Sequence, residues 1–397
     1  MQTVVLAAGE GTRMRPLTDT RPKPLLPVAD RPLLAHTLSA AAEAGASRFV
    51  VVVGYRHEQV RSALGHEYAG VPIQYAHQAE RRGTAHALEV ATPSLDREPF
   101  VVLNGDTLYD PDSLAGIYEG RPAVGAVRVE DPSSYGVLVS DDGETVAGVI
   151  EKPDDPSSDL VNAGAYAFPP AALSWTDVPE SERGELELTD LLTRTCRATD
   201  VRAVGFDRWF DVGRPWELLA ANEWKLAELA DGPTIQGDVD PDASVSGGVV
   251  VEGGAEIRAG AVVEGPALVR EGASVGPNAY VRGATLLGPG THVGHAVEVK
   301  NSVLMAEASV GHLSYVGDSV LGREVNFGAG TVTANLRHDE RPVEHAVNGR
   351  RVSTGRRKFG VVAGDGAKTG INTGLDAGVT LSTDARTGVG EAVLRDR

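Results

Sequence analysis

The stretch VDPDASVSGGVVVEGGAEIRAGAVVEGPALVREGASVGPNAYV (239–281) repeats an aliphatic residue at every sixth position, and the series continues to Val299. The residue four positions after each member is Ala, Thr or Val. No helix has this period, and an alternating strand would not keep one position so uniform. A flexible linker rich in glycine would not hold the phase over so many repeats. The pattern predicts a left-handed parallel β-helix whose aliphatic side chains stack inside.

A different pattern precedes residue 235. Short apolar runs such as RFVVVVG (48–54) and FVVLNGD (100–106) alternate with segments of helical spacing such as LLAHTLSAAAEAG (33–45). That alternation indicates an α/β, Rossmann-like domain with a largely parallel sheet. A chain of 397 residues is long for one core, so we expect two domains, at 1–230 and 235–397.

Composition excludes several classes of partner. The formal net charge is −18, so the chain has no general basic field for nucleic acid. A single cysteine, Cys196, fits a reducing compartment. No apolar run is long enough to suggest a membrane span, and Glu10 is atypical of a signal peptide. We therefore expect a cytoplasmic protein with neither nucleic-acid nor membrane partners.

The stretch LAAGEGTRMRPLTDTRPKP (6–24) follows the first apolar run. It lacks the third glycine of a dinucleotide fingerprint and the Gly-Lys-Ser/Thr of a Walker loop. Gly9 and Gly11 would let backbone N–H groups approach a triphosphate. Arg13 and Lys23 would neutralise charge that develops on the α-phosphate and the departing pyrophosphate. An ordinary turn remains the alternative for any such glycine-rich loop.

This stretch resembles the signature of sugar-1-phosphate nucleotidylyltransferases, and six later segments follow in that family's order. They are QAERRGTAHA (78–87), NGD (104–106), YGV (135–137), EKP (151–153), VNAG (161–164) and FDVG (210–213). The resemblance implies contacts to the nucleotide base from Leu6, Ala7, Ala8, Gly9 and Gln78, with Gly83 and Thr84 nearby. It implies contacts to the sugar phosphate from Gly136, Glu151 and Asn162.

The same resemblance makes Asp106 and Asp211 ligands of Mg²⁺. Two carboxylates from separate segments suit a hard cation that also keeps phosphate oxygens and water. Each aspartate alone could equally be a cap or a turn residue. Their occurrence together with Arg13 and Lys23 favours the metal site.

The hexapeptide phase slips between Val299 and Leu304, and again between Val316 and Leu321. Polar residues gather there, among them His312, which could take a proton from an amine near neutral pH. A lone histidine on a β-helix is more often structural. These segments nevertheless resemble the acetyltransferase half of bifunctional glucosamine-1-phosphate acetyltransferase/N-acetylglucosamine-1-phosphate uridylyltransferases. The resemblance makes His312 the general base and places further residues around the substrates: Arg282, Lys300, Tyr315, Asn326 and Asn335.

The segment RHDERPVEHAVNGRRVSTGRRKFG (337–360) resembles the archaeal version of that family. Leu336 precedes it, where the bacterial pattern has Tyr, which leaves the choice of amino-sugar phosphate open. Its basic cluster could bind coenzyme A phosphates or be a solvated loop. The cluster consists of Arg350, Arg351, Arg356, Arg357 and Lys358.

The leading hypothesis is an enzyme with two activities. Its first domain would transfer a nucleotidyl group from UTP, or from dTTP, to N-acetylglucosamine 1-phosphate, and its second would transfer acetyl from acetyl-CoA to glucosamine 1-phosphate. The resemblance also implies a homotrimer with a shared acetylation site. One alternative is a sugar-1-phosphate nucleotidylyltransferase with a structural or regulatory β-helix. Another is a catalytically silent regulatory subunit.

Overall fold

The computed structural model describes residues 1–140, 142–181 and 184–397. It forms two compact units. The sheet unit contains Met1–Glu10, Pro22–Leu25 and Pro32–Asp211, and the coil unit contains Gly11–Arg21, Leu26–Arg31 and Val212–Arg397. The stretch 6–24 is thus divided between the units. The domain limits expected at 230 and 235 stay a prediction.

The sheet unit is built on an eleven-stranded sheet. Four central strands are parallel neighbours, in the order Phe100–Asn104, Gln2–Ala7, Arg48–Val53 and Val71–His77. In Phe100–Asn104, Gln2–Ala7 and Arg48–Val53, buried apolar residues point to both faces of the sheet, as expected of a sheet that is covered on both sides. The remaining strands of the unit are Glu67–Tyr68, Thr107–Tyr109, Ala123–Arg128, Gly136–Val139, Thr145–Val146, Gly148–Glu151, Leu160–Phe168, Val201–Gly205 and Trp209–Asp211.

Helices alternate with these strands, which confirms the α/β prediction. The segment of helical spacing at 33–45 forms α1 (Leu33–Ala44). Gly45 caps this helix with a φ of 114°, which a glycine adopts without strain. The α-helices among the described residues are α1 (Leu33–Ala44), α2 (His57–Leu64), α3 (Thr84–Ala91), α4 (Pro111–Ala115), α5 (Leu188–Ala198) and α6 (Pro215–Leu226), of which α6 belongs to the coil unit. No helix in the described ranges has the length and apolar character needed to cross a bilayer.

The coil unit is the predicted left-handed β-helix, with three parallel faces. Face 1 holds Thr234–Ile235, Val249–Val251, Ala267–Val269, Thr285–Leu287, Val303–Leu304, Val320–Leu321, Val362–Ala363 and Thr380–Leu381. Face 2 holds Asp238–Val239, Glu256–Ile257, Ser274–Val275, His292–His295, Ser309–His312 and Asn326–Phe327. Face 3 holds Ser244–Ser246, Val262–Glu264, Tyr280–Arg282, Glu298–Lys300, Tyr315–Gly317, Val332–Thr333, Gly374–Leu375 and Ala392–Val393.

The phase slips shorten two coils of the β-helix by one residue each. Val269 pairs with Leu287, 18 positions on, whereas Leu287 pairs with Leu304 and Leu304 with Leu321, each 17 positions on. The missing residue lies at the corner that leads from face 3 to face 1. Asn301 turns the chain there with a φ of 47°. The repeating aliphatic residues fill the core, as predicted.

Candidate active sites

A cavity of about 320 Å³ opens in the sheet unit, where the parallel strands end. Carboxyl ends of parallel strands meet at one edge of a sheet, and ligands bind there in open α/β folds. The cavity brings together many of the predicted nucleotide-binding residues. It is lined by Leu6, Ala8, Gly9, Gln78, Arg81, Gly83, Thr84, Ala87, Asn104, Asp106 and Glu185.

The side-chain amide of Gln78 is held in one orientation. Its Nε2 donates to the backbone oxygen of Gly83 at 3.0 Å and lies 3.1 Å from Nδ1 of His86. A carbonyl oxygen only accepts, so the nitrogen must face Gly83. Both N–H groups are then used, and Oε1 is left as an acceptor. His86 was missed by the sequence analysis, although it lies within the quoted segment 78–87.

Lys23 and Asp106 form an ion pair beside this cavity. Nζ of Lys23 lies 2.5 Å from Oδ2 of Asp106. The lysine side chain is 8% exposed and the aspartate side chain 34% exposed. Asp211 ends a strand that pairs antiparallel with Thr107–Tyr109, and it lies opposite Thr107. The two predicted metal ligands are therefore brought to neighbouring positions.

The predicted sugar-phosphate residues also form a group. Gly136 pairs with Glu151 across adjacent strands. A Cβ at Gly136 would lie 2.9 Å from Oε2 of Glu151 and 3.8 Å from Cβ of Asn162. The amide of Asn162 donates to the Tyr166 hydroxyl at 2.6 Å. Burial raises the pKa of Tyr166, so this hydroxyl stays neutral.

Three predicted residues of the opening stretch have other surroundings. Ala7 is buried in the core of the sheet unit and offers only its backbone. Gly11 and Arg13 belong to the coil unit. The Arg13 guanidinium lies beside Gly213, 3.1 Å from the position that a Cβ would take.

A second polar cluster lies at the shortened corner of the β-helix. Nζ of Lys300 is 2.7 Å from Oδ2 of Asp318, and the same oxygen accepts from the amide of Asn335 at 2.5 Å. The other oxygen of Asp318 accepts from Asn301 at 2.9 Å. Asn335 also donates to the Tyr315 hydroxyl at 3.1 Å. Two residues predicted from the resemblance, Lys300 and Asn335, thus meet at one carboxylate that was not predicted, and Tyr315 joins them through Asn335.

Arg282 extends this cluster along face 3. It pairs with Lys300 in register, and its guanidinium lies 2.8 Å from Oε1 of Glu298. Burial, and secondarily the charge of Asp318, raises the pKa of Tyr315, whereas Asn335 lowers it. The Tyr315 hydroxyl is therefore a neutral donor near neutral pH.

His312 and Asn326 lie elsewhere, on face 2. Both side chains are exposed. His312 pairs in register with His295, and Asn326 with Ser309. Within the described residues, no hydrogen bond or ion pair connects these two side chains to Lys300, Tyr315 or Asn335.

Three arginines of the basic cluster form ion pairs with carboxylates of the same chain. Arg356 makes a two-pronged ion pair with Glu223 of α6. Arg357 lies 3.3 Å from Glu340, and Arg351 lies 3.8 Å from Glu344. Two residues of the cluster, Arg350 and Arg351, lie in the hairpin formed by Glu344–Val347 and Arg350–Ser353, and the other three follow it in the chain. Arg356 therefore links this hairpin to α6.

Two family models match the chain. The Nucleotidyl transferase model matches residues 2–228, and the GMPPB C-terminal domain model matches residues 263–363. The bifunctional protein GlmU of Methanocaldococcus jannaschii is 38% identical over all of this chain and 95% of its own length. The chain belongs to this bifunctional family. It is an enzyme, a nucleotidyltransferase and an acetyltransferase, which confirms the leading hypothesis at that level.

Other similarities agree with this assignment. The bifunctional sugar-1-phosphate nucleotidylyltransferase/acetyltransferase of Sulfurisphaera tokodaii is 36% identical over all of this chain and 98% of its own length. The UTP–glucose-1-phosphate uridylyltransferase AglF of Haloferax volcanii is 41% identical, but it covers only 54% of this chain. A UDP-glucose pyrophosphorylase structure, 24% identical, covers 57% of this chain with a TM-score of 0.52. It supports the fold of the first half.

Proposed function

We propose that the enzyme transfers a uridylyl group from UTP to N-acetylglucosamine 1-phosphate, with release of pyrophosphate, and acetyl from acetyl-CoA to glucosamine 1-phosphate. The observation that carries the proposal is the presence of two separate lysine–aspartate clusters, each surrounded by residues of one predicted site. Lys23 and Asp106 lie beside the nucleotide cavity. Lys300 and Asp318 lie on the β-helix. The expected cytoplasmic location stays a prediction.

The orientation of Gln78 supports a uracil or thymine base. Its Oε1 accepts only, whereas Nε2 is used by Gly83 and His86. Uracil and thymine present an N3–H donor at the matching edge, whereas cytosine presents an acceptor there. The buried acceptor would lose its partner with CTP, which costs affinity. UTP is the proposed source of the nucleotidyl group. The thymine of dTTP carries the same N3–H hydrogen-bond donor.

Asp106 and Asp211 would hold Mg²⁺. No cluster of three or more acidic, histidine or cysteine side chains suited to a metal occurs in the described part of the chain. Two carboxylates fit Mg²⁺ because this ion usually keeps water and phosphate oxygens as its remaining ligands. When bound, the ion would neutralise charge on the α-phosphate. Lys23 would add a fixed positive charge close to the negative charge that develops on the leaving pyrophosphate.

In acetyl transfer the Lys300 ammonium would bind the phosphate of the amino sugar. Asp318 holds the lysine while keeping its own oxygens away from solvent, since its side chain is 4% exposed. Tyr315 and Asn335 would position the sugar and the acetyl group. The neutral amine would attack the thioester carbonyl carbon, and the His312 imidazole would take the proton that the nitrogen loses. As the carbon–sulfur bond breaks, His312 would pass this proton to the departing sulfur, so that coenzyme A leaves as the thiol.

The positions of His312 and Asn326 support a homotrimer. They lie on face 2, whereas Lys300, Tyr315 and Asn335 meet at face 3. A second copy of the chain could bring its face 2 against face 3 of the first. The molar mass in solution, measured by light scattering, would be three times that of the chain, and a monomer with full acetyl transfer would contradict this.

One assay tests both activities. Purified protein receives acetyl-CoA with glucosamine 1-phosphate or galactosamine 1-phosphate, and free thiol is measured. A parallel reaction receives N-acetylglucosamine 1-phosphate and UTP, dTTP or CTP, and pyrophosphate is measured. We expect both products, with CTP the poorest donor. Pyrophosphate without thiol would leave a nucleotidylyltransferase whose β-helix is structural or regulatory.

A further inference from the structure

The segment Gly11–Arg21 is folded on itself. The backbone oxygen of Gly11 accepts from the Met14 amide and from the Thr18 hydroxyl, both at 2.9 Å. The amides of Leu17 and Asp19 donate to earlier carbonyls of the segment, at 3.0 and 3.1 Å. Met14, Leu17 and Thr18 are almost completely buried. The position of Arg13 therefore follows the position of the whole segment.

This segment is bound to late coils of the β-helix. The Thr20 hydroxyl donates to Oδ2 of Asp365 at 2.5 Å, and the Thr383 hydroxyl donates to Oδ2 of Asp19 at 3.1 Å. A Cβ at Gly364 would lie 2.9 Å from Cβ of Pro16. The segment therefore packs against the coil at a place where only a glycine leaves room for the proline.

Asp365 is itself fixed by neighbouring coils. Its Oδ1 accepts from the Arg323 amide at 2.8 Å, and its backbone oxygen accepts from the Asp384 amide at 2.9 Å. Both carboxylate oxygens are thus used. Burial lowers the pKa of Arg21, and the charge of Asp365 opposes that effect. The carboxylate therefore compensates the cation at the end of the segment as well as binding Thr20.

We propose that Asp365, on the β-helix, is a positioning residue for nucleotidyl transfer: through Thr20 it holds the segment Gly11–Arg21 and so sets the place of Arg13. The inference rests on the proposed nucleotidyl transfer, to which Arg13 would contribute a positive charge. A catalytic group displaced by about 1 Å can lose as much as 10²-fold in rate.

The test uses the full-length protein and measures pyrophosphate release from UTP and N-acetylglucosamine 1-phosphate. In Asp365→Ala we expect kcat to fall about tenfold, the equivalent of one lost hydrogen bond to a charged group. KM for UTP should change by less than about twofold, because a misplaced Arg13 weakens mainly the transition state. Thr20→Val should match this loss, and Thr20→Ser, which keeps the hydroxyl, should restore the rate. The double variant Asp365→Ala/Thr20→Val should be no slower than either single variant.

Two controls separate positioning from general damage. Asp384 lies one coil further along the same corner, and its side chain pairs with Arg386 at 3.9 Å. Asp384→Ala should leave kcat unchanged, and acetyl transfer should be unchanged in all these variants. An unchanged kcat in Asp365→Ala, an equal loss in Asp384→Ala, or a parallel loss of acetyl transfer would overturn the proposal.

Hydrogen exchange, followed by mass spectrometry on peptides covering 11–21, tests the same inference without activity. Four backbone amides of the segment are hydrogen-bonded within it: those of Met14, Arg15, Leu17 and Asp19. Asp365→Ala should speed their exchange about tenfold, and Asp384→Ala should not. Unchanged exchange in Asp365→Ala would overturn the proposal. If the wild-type protein releases no pyrophosphate, the proposed function fails, while this measurement still decides whether Asp365 holds the segment.

Discussion

The two lysine–aspartate pairs of this chain differ in which partner is buried. At the nucleotide cavity the Lys23 side chain is 8% exposed and that of Asp106 34%. On the β-helix the order is reversed, with Lys300 at 16% and Asp318 at 4%. A carboxylate that faces solvent suits a metal ion, whereas an ammonium group that faces solvent suits a phosphate. The same pair of residue types thus supports two different chemistries through burial alone.

The largest effect is expected from a substitution that removes the lysine of the first pair. Lys23→Ala should lower pyrophosphate release by about 10³-fold, because the departing pyrophosphate loses its fixed positive charge. Acetyl transfer in the same preparation should be unchanged, since Lys23 belongs to the sheet unit. The exposed Lys368→Ala is the matched control. Equal loss of both activities in a folded protein would contradict two independent sites.

The next effect concerns the proton acceptor proposed for the second site. His312→Ala should slow acetyl transfer by about 10² to 10⁴-fold, the usual range for a general base. His295→Ala is the matched control because His295 is the register partner of His312 in the preceding coil. Pyrophosphate release should be unchanged in both variants. A normal rate of acetyl transfer in His312→Ala would remove His312 from the mechanism.

The same change at the two carboxylates sharpens the comparison. Asp318→Asn should raise KM for glucosamine 1-phosphate about tenfold, because Lys300 loses the charge that holds it. It should also lower the free energy of unfolding by about 3 kcal/mol, since a buried ion pair loses one partner. Asp106→Asn should also lower the free energy of unfolding, because the Lys23 ammonium, whose side chain is 8% exposed, loses its carboxylate partner. An unfolding midpoint in urea equal to that of the wild type in either variant would show that the ion pair of that variant does not stabilise the fold.

The smallest effect concerns a buried group without a charged partner. His345 is fully buried beside Trp216 and Phe359; its Nδ1 lies 3.1 Å from the Gly378 oxygen, and its Nε2 has no partner in the described chain. Burial lowers the pKa of His345; Gly378 and Asp396 oppose this, and Arg351 adds to it. The unfolded chain therefore binds the proton first as the pH falls. Stability is full above about pH 6.5 and declines below it, by at most about 1.4 kcal/mol per pH unit.

Urea unfolding at pH 7.5 and 5.5 measures this decline. His345→Phe should reduce the difference between the two pH values by about 1 kcal/mol, because the replacement ring does not titrate. The exposed His338→Gln is the control and should leave the difference as in the wild type. An equal pH dependence in His345→Phe and the wild type would contradict the assignment.

The sequence by itself predicted what depends on local periodicity and on short motifs. A six-residue period of aliphatic residues is typical of a parallel β-helix, so the series from Val239 to Val299 predicted this fold and its aliphatic core. The order of the motifs predicted residues such as Leu6, Gln78 and Asp106, which line one cavity because parallel strands end at one edge.

Only the tertiary structure decided which residues meet across long separations in sequence. Asp318 lies at a shortened coil and binds Lys300 and Asn335; the phase slip between Val316 and Leu321 marked this region in the sequence, but not which residues would meet there. Asp365 binds Thr20 from 345 positions away. Such contacts depend on how coils stack and on where a glycine leaves room. The burial of a charged side chain likewise depends on the packing of segments that are distant in the sequence. The sequence therefore predicted both lysines as site residues, but it did not predict which partner of each pair is the more exposed.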